Sequence, residues 1–199
     1  MPTARYFVAV MILVATPPAI ALWYVIHPLA RVWRRVGPRV AYLVLFFPAA
    51  ALGATLAYHR NRLLGSDLGT HPPLIGLAMV AAVAGAWIAR RRRKLLTERI
   101  LVGVPELSSN DKGQLLTEGI YGRTRNPRYL ETLVFVLAYV SFANYAGTWV
   151  LFVLMFPALH VVVLLEEREL RDRFGAQYQD YCRRVPRYLP RWRSSSQCE

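Results

Sequence analysis

Two polar clusters interrupt an otherwise apolar sequence, and their side chains are of types that can bind charged ligands. The first cluster lies in the segment GIYGRTRNPRYLE, residues 119–131, just before an apolar run. The second is the pair Glu166 and Glu167, which directly follows another apolar run. Adjacent carboxylates at the end of an apolar helix are costly unless they face water or a cation. They could equally form the solvated first turn of a tail helix, so position alone leaves both interpretations open.

The spacing of apolar runs predicts that the two clusters meet. Runs at 129–143 and 148–165 are separated by the short uncharged turn 144–147, a pattern typical of a helical hairpin. A hairpin returns the chain to the side it came from, so both clusters should lie at one mouth of a helix pair. The sequence therefore predicts a polar pocket there. Tyr and Arg at a span boundary are also ordinary interfacial anchors, and Pro127 suits a helix start.

Composition indicates a membrane protein. The chain has 199 residues, is 55% hydrophobic and carries a formal net charge of +13, with its charges confined to a few segments. Because the basic residues flank apolar runs, they favour anionic headgroups over nucleic acid, and no nucleic-acid partner is expected. Cys182 and Cys198 form neither a CxxC pair nor a disulfide framework, and no metal site is expected.

Three further apolar runs precede the hairpin, at about 6–26, 40–58 and 73–89. Each is near the roughly 20 residues that a transmembrane helix needs. The first is too long for a signal sequence and lacks a cleavage site, and Pro17 and Pro18 predict a kink in it. We therefore expect an all-α polytopic integral membrane protein with about five transmembrane helices. Residues 1–94 would hold three of them, and residues 95–199 the loop, hairpin and tail of the same membrane domain.

Arginine placement predicts the orientation. The connection after the first span holds Arg31, Arg34, Arg35 and Arg39, and the third span ends in the run RRRRK, residues 90–94. By the positive-inside rule these segments and the arginine-rich tail face the cytoplasm, as would the pocket, and five spans place the N-terminus outside. The run RRRRK is interpreted as a headgroup anchor, with a dedicated site for a phosphorylated lipid as the alternative.

The tail from Glu166 predicts an amphipathic helix. Leu170, Phe174, Tyr178 and Tyr181 recur at helical spacing on one face. Gly175 should mark a bend, and Pro186 should end the regular helix.

The polar clusters also resemble a known family. The segments LLTEGIYGRTRNPRYL, EEREL, FGAQYQDY and VPRYLP, with the hairpin between them, resemble the C-terminal half of the isoprenylcysteine carboxyl methyltransferases, which are related to the phospholipid N-methyltransferases. The resemblance covers about residues 106–191. It implies a multi-span membrane enzyme that moves a methyl group from S-adenosylmethionine, without a Rossmann domain, to a lipophilic or prenylated acceptor.

The resemblance also implies the residues of the site. Those that would contact the cofactor are Glu106, Gly113, Gln114, Leu115, Leu116, Tyr121, Asn126, Pro127, Tyr129 and Glu166. Glu167 is the candidate general base for an amine acceptor, and Arg125 would orient the carboxylate of the cofactor or an anionic acceptor.

The sequence departs from the family at two positions. Asn126 stands where the eukaryotic enzymes have a histidine, so a proton shuttle is not expected there. The apolar Val162 stands near the place of an arginine linked to the carboxylate substrate, which argues against a prenylcysteine acceptor.

Two other function classes remain open. The segment YCRRVPRYLP is also similar to the closing pattern of membrane sterol reductases, which use a nicotinamide cofactor, but Glu131 follows Tyr129 by two positions instead of their three. A non-enzymatic scaffold that binds anionic lipid is the third hypothesis. His160, inside the last span, is expected to serve helix packing rather than catalysis.

Overall fold

The described part of the protein is a bundle of α-helices. In this computed structural model, residues 2–95 and 114–189 are described. Within them the helices are α1 Pro2–Ile26, α2 Ala30–Val36, α3 Pro38–Tyr58, α4 Arg60–Leu64, α5 Pro72–Arg93, α6 Pro127–Ala143, α7 Ala146–Phe174 and α8 Ala176–Arg184. The expected all-α architecture is confirmed. Glu106, Gly113 and Cys198 lie outside the described residues.

Four of these helices are long and apolar enough to cross a membrane: α1 from Thr3, α3, α5 and α7. Their outward faces are apolar, with side chains such as Phe47, Val80 and Val153 more than 60% exposed. Such a surface is stable in lipid but not in water, so the chain is an integral membrane protein. The described part of α1 continues as one helix through Pro17 and Pro18.

The fifth expected span is α6, which has 17 residues. At 1.5 Å per residue it is about 25 Å long, somewhat less than the roughly 30 Å hydrocarbon core. It is sheltered by α5, α1 and α7, and Val140 and Ala143 in it have no exposed surface. The short first arm of the hairpin therefore lies among the spans rather than on the bundle surface.

One end of the bundle, here called the Arg5 end, is joined by a buried arginine. Arg5 is 4% exposed, and its Nη2 lies 2.5 Å from Asp67 Oδ1 and 2.9 Å from the carbonyl oxygen of Ala143. Gly147 begins α7 here so close to α4 that a Cβ would lie 1.8 Å from the carbonyl oxygen of Leu63. The start of α1, the α4 to α5 connection and the hairpin turn are thus held together.

The opposite end, here called the Glu166 end, is joined by ion pairs between other elements. Arg92 at the end of α5 binds Glu131 in α6 at 2.6 Å, and Arg34 in α2 binds Glu169 in α7. The chain crosses from one end of the bundle to the other in each of the five helices α1, α3, α5, α6 and α7. Consecutive helices of this set are therefore antiparallel. Both predicted polar clusters lie at the Glu166 end.

The last membrane helix is longer than the apolar run in it. The sequence analysis ended the span near Leu165 and began a tail helix at Glu166, but α7 runs without a break for 29 residues to Phe174. The break comes at Gly175, whose φ of 55° is in the left-handed region, and α8 follows. The expected bend at Gly175 is confirmed, and so is the end of helix before Pro186. The tail packs Tyr178, Tyr181 and Val185 against Leu115 and Leu170.

Asp67 should stabilise the fold in a pH-dependent way. The backbone N–H of Gly69 and the Arg5 guanidinium lower the pKa of Asp67 below its ordinary 3.8. A carboxyl with a lowered folded-state pKa stabilises the protein above its unfolded pKa, and this contribution is lost as pH falls through the folded value. We expect Asp67→Asn to lower the melting temperature in detergent at pH 7 by a few degrees, and the difference from wild type to shrink as pH falls below about 4, toward the lowered folded-state pKa.

Asp180→Asn is the matched control, since that exposed carboxylate pairs only locally with Arg183 at 3.8 Å. A melting temperature of Asp67→Asn equal to that of Asp180→Asn at every pH would contradict the role given to the Arg5 pair.

Candidate functional site

A polar pocket lies at the Glu166 end, between the mouth of the hairpin and the tail. Its walls come from the ends of α5, α6 and α7, from α8 and from the segment 114–129. The lining residues are Arg92, Gln114, Leu115, Leu116, Tyr121, Arg125, Asn126, Pro127, Arg128, Tyr129, Glu166, Leu170, Arg173, Tyr178 and Tyr181. The two clusters that the sequence placed at one mouth do lie together.

Most of the site residues suggested by the resemblance line this pocket. They are Gln114, Leu115, Leu116, Tyr121, Arg125, Asn126, Pro127, Tyr129 and Glu166. Glu106 and Gly113 fall outside the described residues. Glu167 does not line the pocket, and the structure places it behind the wall.

Glu166 is the carboxylate that faces the pocket. Its Oε2 accepts a 2.5 Å hydrogen bond from the hydroxyl of Tyr129. Tyr129 lies in the first turn of α6 and is 6% exposed, so its ring is held by packing and its hydroxyl fixes the carboxylate. A positioned, partly buried carboxylate of this kind is suited to bind an ammonium or sulfonium group.

Glu167 is enclosed by cations and amides. Its side chain is 1% exposed and receives Arg187 Nη2 at 2.9 Å, Arg125 Nη2 at 3.2 Å and Asn126 Nδ2 at 3.3 Å. The hydrogen bonds to Glu167 raise the pKa of Arg187 further. A carboxylate enclosed by this many donors has no free approach for a substrate proton, which does not fit the base role suggested from sequence.

The same network ties the tail to the hairpin mouth. The backbone N–H of Arg125 donates to the carbonyl of Pro186 at 3.0 Å, and Asn126 Nδ2 donates to the carbonyl of Arg187 at 3.2 Å. The Tyr181 hydroxyl donates to the carbonyl of Tyr121 at 2.7 Å. The segment after α8 is therefore fastened to the hairpin mouth, and α8 itself supplies Tyr178 and Tyr181 to the pocket wall.

Arg92 corrects the interpretation of the run RRRRK as a uniform headgroup anchor. It is 7% exposed, lines the pocket and makes a bidentate pair with Glu131. Two charges buried between α5 and α6 hold each other, and removing either would leave the other uncompensated. Arg92 therefore belongs to the pocket wall.

Most arginines of the pocket wall form ion pairs with carboxylates that do not themselves line the pocket. Arg92 has Glu131, Arg125 has Glu167, and Arg173 has Glu169 at 3.6 Å. Even so, Arg173 Nη1 is buried without a hydrogen-bond partner in the described part of the chain. Among the described lining residues the pocket thus offers one carboxylate, Glu166, and a buried guanidinium N–H that can still donate.

Three tyrosines give the pocket neutral polar walls. Burial raises the pKa of Tyr121 to about 12, and burial also raises the pKa of Tyr178 and of Tyr181. All three hydroxyls therefore remain protonated near neutral pH. Their rings supply flat surfaces on which an aromatic or aliphatic ligand can pack.

Sequence reasoning missed several lining residues: Arg92, Arg128, Leu170, Arg173, Tyr178 and Tyr181. The sequence did contain a signal for Arg92, because Glu131 is a carboxylate inside an apolar helix and needs a cation as its partner. Arg173 follows Glu166 by seven positions, which places both on one helix face. Arg128 stacks 4.3 Å above the ring of Trp23, a contact between distant segments that no local pattern indicates.

Two further residues singled out by sequence lie away from the pocket. His160 is on the exposed face of α7, where its Nδ1 is 2.6 Å from the hydroxyl of Tyr188. It thus holds the tail against α7 and does not reach Glu166. Val162 is fully buried in the core cluster.

The fold and the site define a polytopic membrane protein with a charged pocket at the mouth of a helical hairpin. Residues 72–177, just over half of the chain, match the model of the phospholipid methyltransferase family. The chain belongs to this family, which confirms the resemblance found in the sequence. The match spans α5, α6, α7 and the segment between them, and so includes most of the pocket wall.

A curated relative points to a second class of reaction. The chain is 30% identical over 139 residues to the Delta(14)-sterol reductase of Mus musculus, a match that covers 60% of this chain and 32% of the relative. The chain therefore spans about a third of the length of that protein. No solved structure matches the chain significantly.

Glu167 should contribute more to stability than any surface carboxylate of the same helix. Glu167→Ala would leave the buried Arg125 and Asn126 without their shared acceptor, and we expect it to lower the free energy of unfolding by about 3–5 kcal/mol. Denaturation in mixed detergent micelles would measure the loss. Limited proteolysis should also show the segment after α8 released.

Asp172→Asn is the control in the same helix, because Asp172 and its partner Arg31 are 53% and 81% exposed. Removing such a surface pair should cost less than about 1 kcal/mol. Equal costs for the two variants would show that the Glu167 network does not hold the tail.

Proposed function

We propose that this protein transfers a methyl group from S-adenosylmethionine to a lipophilic acceptor at the cytoplasmic face of the membrane. Membership of the phospholipid methyltransferase family supports a membrane methyltransferase in general. The observation that carries the finer proposal is the Glu166 carboxylate, fixed by Tyr129 inside a pocket that also holds arginine donors.

The pocket fits the charge pattern of S-adenosylmethionine. That cofactor carries a sulfonium, an ammonium and a carboxylate, together with a flat adenine ring. Glu166 would hold the cationic groups, and the free Nη1 of Arg173 would receive the carboxylate. Tyr121, Tyr178 and Leu115 would enclose the ring. When bound, the cofactor supplies a methyl group already activated for transfer by its positive sulfur.

The protein's own residues then have modest tasks. They must align the acceptor with the methyl group, exclude water and keep the charge in the pocket balanced. Tyr129 keeps Glu166 in one orientation. Arg125, bound to Glu167 and to the carbonyl of Cys182 at 3.4 Å, serves as a wall of fixed shape rather than as a mobile charge.

Glu167 takes a positioning role in this proposal. It anchors Asn126 and Arg125, which line the pocket, and it is too enclosed to accept a proton from an acceptor amine. Glu166 is the carboxylate that an acceptor can reach. An acceptor that reacts without losing a proton suits this site best.

The depth of the pocket supports a lipophilic acceptor. Glu166 directly follows the apolar run of α7, so the pocket lies where the hydrocarbon core meets the headgroups. An acceptor with a hydrophobic tail could present its polar end to the pocket while the tail stays in the bilayer.

A membrane reductase is the second candidate. It is favoured by the similarity to the Delta(14)-sterol reductase of Mus musculus. A reductase would bind a reduced nicotinamide in this pocket, whereas a methyltransferase would bind S-adenosylmethionine, so ligand binding separates the two.

Titration calorimetry on the purified protein in detergent tests the proposal. We expect micromolar binding of S-adenosylmethionine and of its demethylated product, and no binding of NADPH. Glu166→Gln should weaken binding of S-adenosylmethionine by about tenfold or more, because a charged hydrogen bond contributes about 1.5–3 kcal/mol.

Asp172→Asn again serves as the matched control and should leave binding unchanged, since Asp172 lies outside the pocket. Binding of NADPH alone would move the assignment to the reductase. Equal affinities of the two variants would contradict the role given to Glu166.

We further propose that the Glu166 end faces the cytoplasm and that the N-terminus lies outside. The first connection and the end of α5, both rich in arginine, lie at the Glu166 end, which supports this orientation by the positive-inside rule.

Cysteine labelling in intact cells checks the orientation. In a chain carrying Cys182→Ser and Cys198→Ser, a cysteine introduced by Thr70→Cys at the Arg5 end should react with a membrane-impermeant maleimide. One introduced by Arg35→Cys at the Glu166 end should react only after permeabilisation. The reverse pattern would show that the orientation is inverted.

A further inference from the structure

A second cavity, here called the cationic cavity, lies on the far side of the turn that carries Tyr121. Arg90, Arg91, Lys94 and Arg123 line it, together with Trp87 at its membrane side. No carboxylate occurs among its described lining residues, in contrast to the pocket around Glu166. Four positive side chains thus converge on one concave surface.

These cations also lack the acidic partners that neutralise the pocket arginines. None of the four forms an ion pair with a carboxylate of the described residues, whereas the neighbouring Arg92 is bound to Glu131 at 2.6 Å. Cations that approach one another without counter-charges repel, so an anion bound between them would be stabilised.

The shape of the cationic cavity is fixed by close packing. Gly119 has a φ of 58° and sits so near Leu95 that a Cβ would lie 2.8 Å from the Leu95 Cδ1 atom. The backbone N–H of Arg123 donates to the carbonyl of Ile120 at 3.1 Å, which closes the turn within itself. Arg91 stacks 4.5 Å above the ring of Trp87 and is thereby oriented.

An apolar groove continues from the cationic cavity toward the membrane. Ala86, Ala89 and Phe135 form its apolar floor between α5 and α6, and Arg93 lines it as well. Arg90 and Lys94 border both spaces. The small alanine side chains leave room along the helix surface. A long apolar chain could therefore lie in the groove while the group attached to it reaches the cations.

We propose that this surface binds one anionic phospholipid of the surrounding membrane. Its phosphate would lie among Arg90, Lys94 and Arg123, and an acyl chain would lie along Ala86 and Phe135. The four cations give charge complementarity, and the groove gives an apolar continuation. The site is distinct from the Glu166 pocket and does not depend on the reaction proposed there.

Depth favours a lipid over a soluble phosphate. The apolar part of α5 ends at Ala89, directly before Arg90, so the cations lie at the level of the headgroups. Trp87 is 52% exposed one turn below, where tryptophan commonly meets the membrane interface. A phosphate bound to a glycerol backbone arrives at this depth without leaving the bilayer.

Native mass spectrometry of the whole chain released from detergent tests the proposal. The probes are phosphatidylglycerol, phosphatidylcholine with the same acyl chains, and glycerol phosphate as the soluble arm. We expect wild type to retain one phosphatidylglycerol in preference to phosphatidylcholine. The double variant Arg90→Gln with Lys94→Gln should weaken this retention about tenfold or more, because each cation near an anionic lipid contributes severalfold.

The matched control is Arg35→Gln with Arg39→Gln, which removes the same charge from exposed positions at the same end of the bundle. This control should retain phosphatidylglycerol as wild type does. Arg123→Gln, which leaves α5 intact, should weaken retention severalfold and provides a second test should the first double variant fold poorly.

Three results would overturn the proposal. They are equal losses in both double variants, no preference of wild type for phosphatidylglycerol, or displacement of the lipid by glycerol phosphate at equal concentration. Binding of S-adenosylmethionine to the Arg90 and Lys94 double variant is measured separately by calorimetry. Its presence or absence therefore reports on the Glu166 pocket and not on the lipid site.

Discussion

The architecture of the site depends on the burial of one charge, the Glu167 carboxylate. A carboxylate at 1% exposure is stable only when cations and donors surround it, and the donors nearest Glu167 come from two segments outside its own helix. Arg187 comes from the tail, Arg125 and Asn126 come from the hairpin mouth, and Glu167 itself lies in α7. Pairing this charge therefore holds the tail, the hairpin mouth and α7 together at the pocket.

The neighbouring Glu166 faces the pocket instead of the buried network, and helix geometry explains the difference. Adjacent residues on a helix point about 100° apart, so one carboxylate faces the packed network and the other faces the pocket. The network fixes α7 in place, and Tyr129 then fixes Glu166. Under the proposed function, one member of the pair serves the structure and the other serves a ligand. This division explains why a charged pocket can sit at a membrane boundary without collapsing.

Local sequence patterns were sufficient to locate the long apolar helices and to bring the two clusters together, but they did not indicate the short helices α2 and α4. Hydropathy and length located the spans, and the uncharged turn at 144–147 located the hairpin. The end of α7 was placed wrongly because hydropathy stops at Leu165 while helical propensity continues to the break at Gly175. Hydropathy falls where the helix leaves the apolar run, although the helix itself continues, so hydropathy alone does not mark the end of the helix.

The pocket wall was only partly predictable because its charges are paired across long sequence separations. Arg92 looks like its neighbours in the run RRRRK, and only its contact with Glu131, 39 positions away, distinguishes it. The suggestion that Glu167 acts as a base was likewise made without knowledge of its distant partners. Its proximity to Glu166 in sequence was visible, but the guanidinium of Arg187 that encloses it was not.

The segment YCRRVPRYLP also has a structural explanation that bears on the two function classes. Tyr181 donates to the carbonyl of Tyr121, the carbonyl of Pro186 accepts from Arg125, and Arg187 binds Glu167. These contacts fasten the tail and would serve any ligand in the pocket. A closing pattern shared by methyltransferases and sterol reductases is thus informative about the scaffold, and the groups facing inward must decide the chemistry. Here those groups are Glu166, held by Tyr129, and the buried guanidinium of Arg173, a pairing that matches the cation and the carboxylate of the proposed methyl donor.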